Sequence, residues 1–112
     1  MNKQRKERIN RQKKLKEWSK LVRQRDGNMC QICGSIKFLN AHHIFPKEAK
    51  MYKYLMFDLD NGITLCSNHH RYSYQLSPHK NPMIFVNWFV NNRNEQLKRL
   101  WEKYYKGVEI IK

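Results

Sequence analysis

Apolar positions first fall at helical spacing at Leu15, Trp18, Leu21 and Val22. They sit among good helix formers without proline or glycine, which predicts a helix over about 11–25 whose stripe packs on the body. Asp26, Gly27 and Asn28 supply turn residues before Cys30, and Gly34 permits the tight turn that closes CQICG. IKFLNAHHIF, rich in Ile, Phe and Leu, reads as a strand or hairpin arm. Residues 47–60 show no clean period and are expected to form an irregular connection, with a helical turn around 48–55. NGITLC is a turn followed by a second strand, and Ser67 can cap a helix from Asn68 to about Tyr74. Asn81 followed by Pro82 signals a helix start. Phe85, Trp88 and Phe89 make one apolar stripe, and Leu97, Leu100, Trp101 and Tyr104 make another; NNRN between them predicts two helices meeting at a bend. These aromatics are read as core rather than as a base-stacking surface. Gly107 ends the second helix, and VEIIK adds a short strand or trails; no internal repeat is present.

Composition and charge narrow the picture. With 112 residues the chain fits one domain, and 40% hydrophobic content gives it the means to fold. Its 23 Lys plus Arg stand against 9 acidic residues, a formal net charge of +14 that points to a polyanionic partner, nucleic acid or an anionic membrane surface. Residues 1–25 carry 11 of those cations and two Glu. Residues 1–10 are expected to be a flexible basic arm, with DNA contact and a solvated, self-repelling tail as equal readings. No apolar run approaches the ~18 residues of a membrane span, and no signal-peptide segment opens the chain, so a cytoplasmic setting is expected.

Three cysteines exclude an all-disulfide framework. Cys30 and Cys33 are either a redox pair or half of a metal site, and the lack of a thioredoxin-like context favours metal. Cys66 and His69 repeat the spacing, so Cys30, Cys33, Cys66 and His69 form a Cys3His zinc set; His70 replaces His69 if the second knuckle is one residue longer. Four of the five histidines stand in two pairs, His42–His43 and His69–His70. Neighbours on a strand point to opposite faces, so His42 and His43 should differ in role. One can hold a metal while the other acts as a base, and His70 can approach the same metal from the other side.

CQIC, AHHIFPK, NGITLC and CSNHHR, in this order, resemble the zinc-containing HNH endonucleases, with His43, Asn61 and His70 as the three letters. The resemblance covers residues 18–72 and extends loosely to NPMIFVNWF, which is similar to the tail of small phage-encoded members. It implies an α+β fold with a ββα-metal, treble-clef-like core over about 18–75. One nuclease domain would span 11–112, with a C-terminal helical extension over about 81–106. It implies His43 as general base, His42 and His70 as ligands of one catalytic divalent ion, and Asn61 as an orienting residue off the metal. Products would carry 5′-phosphate and 3′-hydroxyl ends. The family often has a carboxylate where His42 stands and a fourth cysteine where His69 stands. An imidazole at His42 should favour Mn2+ or Ni2+ at least as much as Mg2+.

The expected partner is double-stranded DNA, gripped through phosphate contacts from Arg5, Lys6, Arg8, Arg11, Lys13 and Lys14; Lys47 and Arg71 flank the site, with contact to the scissile strand and ordinary surface charge as equal readings for each. A phage packaging protein such as terminase is a partner by analogy only, and the chain is expected as monomer or homodimer. The competing reading is a zinc-stabilised nucleic-acid-binding module without catalysis. In that reading His42, His43 and His70 have no duty. A basic RNA-binding protein is supported by charge alone.

Overall fold

The computed structural model describes residues 2–48, 50–72 and 76–111. Helix α1, Lys3–Arg25, begins where the Asn2 Oδ1 accepts the Arg5 N–H at 2.8 Å. It stops at Asp26, because Gly27 (φ 71°) and Asn28 (φ 54°) turn the chain through the left-handed region. The expected frayed arm is therefore helical from Lys3 onward. The cap explains this, together with an unbroken run of helix formers and Glu7 one turn from both Lys3 and Arg11. Trp18 and Val22 are buried in the body, whereas Leu21, expected on the same stripe, is exposed.

The sheet has two antiparallel strands, β1 (Leu39–His43) and β2 (Gly62–Cys66), in the register Leu39↔Cys66 to His43↔Gly62. β1 is shorter than the run of apolar residues suggested, since Phe38 at φ 54° breaks the extended backbone before it. α1 lies directly on the start of β2. A Cβ at Gly62 would meet Trp18 Cζ2 at 2.6 Å and Val22 Cγ2 at 2.7 Å. The connection between the strands holds two short 3-10 helices, Lys50–Leu55 and Leu59–Asn61. After β2 a π-helical segment, Asn68–Tyr72, carries the second histidine pair; the rest of the expected helix, 73–74, lies outside the described residues.

Helix α2, Pro82–Asn92, starts at the predicted Asn81 cap, and α3, Asn94–Ile111, follows it after a break at Arg93. Gly107 does not end α3: a Cβ there would overlap the Tyr54 ring, so the glycine permits close packing inside the helix. The expected strand or trailing end at 108–111 is helical backbone. The core joins Cys30, Ile63, Leu65 and Cys66 to Phe85 and Phe89 of α2. Each such aromatic contributes about 1.5–3 kcal/mol by burial. Leu100 is buried as predicted, but Trp101 keeps 41% of its surface exposed and stacks on Tyr105.

Asp26 ties these pieces together. Its carboxylate accepts two hydrogen bonds from Arg25 (2.9 Å each), one from Arg93 (3.0 Å) and one from the buried Thr64 N–H (2.8 Å). Burial works to raise its pKa, but the Arg25 and Thr64 hydrogen bonds and the two guanidinium charges outweigh this and hold it low. The architecture is α+β, and no helix among the described residues is long and apolar enough to cross a membrane.

Candidate active site

Two clusters of metal-ligating side chains flank the sheet. In the first, donor atoms of Cys30, Cys33, Cys66 and His69 all lie within 4.8 Å of one another. Cys30 and Cys33 come from the turn after α1, Cys66 from the end of β2, and His69 from the π-helical segment. The Cys33 and Cys66 sulfurs are 3.7 Å apart, and His69 Nδ1 lies 3.3 Å from Cys66 Sγ and 3.8 Å from Cys30 Sγ. Two thiolates on a tetrahedral ion with metal–sulfur bonds of about 2.3 Å would be separated by about 3.8 Å, so the donor set fits such an ion. Burial acts to raise the Cys30 pKa, but hydrogen bonds from the Cys66, Cys33 and Ile32 main chain prevail and lower it. His69 turns to the cysteines, and His70 turns away from them.

The second cluster is made of imidazoles alone. Donor nitrogens of His42 on β1, His70 on the π-helical segment and His79 before α2 lie within 4.8 Å of one another. His70 Nε2 and His79 Nε2 are 3.0 Å apart, and the buried Nδ1 of His70 has no hydrogen-bond partner among the described residues. Three imidazole donors gathered at this spacing are the chemistry of a divalent-ion site. Burial, then the neighbouring His70 and His79, push the His42 pKa down to about 3. Burial, then His79 and Arg71, push that of His70 down to about 4. Both rings are therefore held neutral, with lone pairs available for ligation.

His43 lines the same cavity as His42, His70 and His79, but its ring has other neighbours. It stacks on Trp18 of α1, and its Nε2 lies 2.9 Å from the main-chain oxygen of Met56. A carbonyl only accepts, so Nε2 carries the proton and Nδ1 keeps a free lone pair. Burial lowers the His43 pKa, the Met56 contact opposes this, and the Lys47 charge adds to the lowering. The alternation along β1 thus separates the two adjacent histidines, as the strand reading required.

Asn61 is fully buried at the entry to β2, and its side chain is engaged by the main chain. Its amide donates to the Phe45 and Leu55 carbonyls at 3.1 Å each, and its Oδ1 accepts the Phe45 N–H at 2.7 Å. It thereby locks the chain after His43 to the second strand. Lys47 and Arg71 line the histidine cavity. Arg11 and Lys14 line a separate groove with Lys53, Met56 and Phe57; Arg5, Lys6, Arg8 and Lys13 are exposed on α1 and line neither.

His79 is the site residue that sequence reasoning missed. It shares no spacing with the knuckles, and only the fold-back of the chain after the π-helical segment brings it to His70. The nearest signal was Pro78–His79 beside the Asn81 cap, a turn with a metal-ligating side chain.

No curated protein and no solved structure matches the chain. The stretch 30–74, which holds the Cys3His cluster, both strands, Asn61 and the second histidine pair, matches the family model of the HNH endonucleases.

Proposed function

We propose that the protein is a metal-dependent endonuclease that hydrolyses phosphodiester bonds of double-stranded DNA, with His43 as general base. The observation that carries this reading is the state of His43. Its Nε2–H is engaged by Met56, its Nδ1 lone pair is free, and it lines one cavity with His42 and His70. Nδ1 of His43 takes a proton from water, and the water oxygen attacks phosphorus opposite the 3′ oxygen. The P–O3′ bond breaks and the leaving oxygen is protonated from solvent, giving 5′-phosphate and 3′-hydroxyl ends. A divalent ion held by His42 and His70 would supply positive charge against the phosphate and the leaving oxygen.

Asn61 orients the His43 segment through its three main-chain hydrogen bonds. Zinc at Cys30, Cys33, Cys66 and His69 would staple a treble-clef-like, ββα-metal core, since so small a chain gains folding energy from metal. Lys47 and Arg71 would hold the scissile strand, and Arg5, Lys6, Arg8, Arg11, Lys13 and Lys14 the flanking phosphates.

Plasmid nicking by wild type and His43→Ala, each with Mg2+, Mn2+, Ni2+ or EDTA, tests the reading. Metal-dependent conversion of supercoiled to open circles should fall by about 100-fold or more in a folded, zinc-loaded variant. Equal cutting by the two proteins would remove His43 from the mechanism. DNA binding without cutting by either would favour the non-catalytic module.

A further inference from the structure

We propose that His79 is a third imidazole ligand of the catalytic ion and that Ser77 is the residue that positions it. The proposal rests on the nuclease reading above, but it is stated and tested for ion binding. His79 lies beyond the stretch 30–74, so nothing in the family match assigns it a role. Its donor nitrogen nevertheless stands with those of His42 and His70 inside one 4.8 Å group.

The separation of His70 and His79 has chemical meaning. Two nitrogens bound to one ion at about 2.1 Å lie about 3.0 Å apart at a right angle, and about 3.4 Å apart at a tetrahedral angle. The 3.0 Å between the two Nε2 atoms matches the right-angled edge of a six-coordinate site. Without an ion the same distance suits an N–H···N hydrogen bond, so the two nitrogens are already held at ligand spacing. Three neutral imidazoles leave the full charge of the ion facing a phosphate, where a carboxylate ligand would have cancelled part of it. Such an all-nitrogen set suits Mn2+, Co2+ or Ni2+ better than Mg2+.

Ser77 links the two ligands through the backbone. It is fully buried; its Oγ donates to the His70 carbonyl at 2.7 Å and accepts the His79 N–H at 3.3 Å. Its own carbonyl accepts from Lys80 (3.2 Å) and Asn81 (2.7 Å), which fixes the turn to the start of α2. One side chain therefore sets the spacing between a ligand on the π-helical segment and a ligand on the following turn. His79 itself is exposed, so the ion can enter from the solvent side.

The test is titration of zinc-loaded protein with Co2+, followed by calorimetry and visible absorption, with zinc release checked. Wild type should bind one further equivalent. His79→Ala should weaken that binding by about 100-fold and shift the cobalt bands, because a ligand is lost. Ser77→Ala should weaken it by about 10-fold with the bands unchanged, because the donor set is the same and only its positioning is lost. His79→Gln serves as the second variant should His79→Ala lose zinc or fold. Wild-type affinity and spectrum in the folded His79 variants would overturn the ligand role, while leaving the nuclease reading intact. A wild type that binds no further ion would overturn both, and neither result depends on whether DNA is cut.

Discussion

The imidazole of His43 lies flat against the indole of Trp18, with ring centroids 3.8 Å apart and an interplanar angle of 10°. The indole Nε1–H in turn donates to the Asp58 carbonyl at 2.8 Å, two residues beyond the Met56 carbonyl that holds the edge of the histidine. One face and one edge of His43 are thus fixed by groups that are themselves tied together. Trp18→Ala should lower kcat for nicking by up to about 100-fold through misorientation. It should also lower stability by about 3 kcal/mol through lost burial. Trp18→Phe, which keeps an aromatic face, should retain most of the rate; nicking kinetics beside urea unfolding separate the two effects.

Asp26 gives a pH-dependent prediction. Its folded pKa lies below the unfolded value of about 3.9, so its contribution is present above that value. The contribution is lost as pH falls through the folded pKa, where the carboxyl takes up a proton in both states. Asp26→Asn should therefore cost about 3 kcal/mol at neutral pH and progressively less below about pH 4. Unfolding midpoints of both proteins across pH 2–7 measure this difference directly, because metal release affects each in common. A constant difference over the range would assign the cost to shape rather than charge.

If the cysteine cluster holds an ion, stripping that ion should unfold the protein rather than loosen one turn. Cys30 and Cys66 belong to the same buried cluster as Ile63, Leu65, Phe85 and Phe89, so the staple and the core are one unit. Circular dichroism during chelator titration should show helix and tertiary signals lost together. Cys33 is exposed, whereas Cys66 is buried. Cys66→Ser should accordingly cost more stability than Cys33→Ser.

The imidazole-only cluster predicts ion preference. Cleavage in Mn2+ or Ni2+ should at least equal that in Mg2+, since nitrogen donors favour the softer ions. Initial nicking rates across an ion titration decide the matter, and a clear Mg2+ preference would count against a nitrogen-ligated ion.

Arg11 and Lys14 line the groove next to Met56, on the His43 side of the molecule. If both contact phosphate, replacing them with Ala should reduce the slope of log K against log salt by about 2 for duplex DNA. Fluorescence anisotropy of a labelled duplex over a salt series gives the slope. An unchanged slope would make these charges part of the solvated face.

Much of this was legible from residue spacing, and the misses have physical causes. The knuckle spacing works because four residues at fixed local geometry form each half of the cysteine cluster, so Cys30, Cys33, Cys66 and His69 were found together. His79 was not, because its relation to His70 is made by Ser77 and a turn rather than by a helix or strand period. Asp26 read as a turn residue, since nothing local announces that Arg93 reaches it. Gly107 read as a helix stop because its partner, the Tyr54 ring, is distant in sequence. The first turns of α1 read as frayed because like charges repel, but capping by Asn2 and the Glu7 pairing positions act the other way.

The unbroken course of α1 from Lys3 to Arg25 gives the molecule a rotational phase. Trp18 and Val22 clamp the helix onto Gly62, so every charge before them is presented at an angle set by its distance along the chain from that clamp. Deleting one residue between Arg11 and Trp18 would turn all the preceding cations by about 100° while moving them only about 1.5 Å. Deleting the seven residues 11–17, about two turns, would restore the direction of the cations before them and shorten their reach by about 10 Å. The helix is in effect both ruler and protractor, and the two measures can be changed separately.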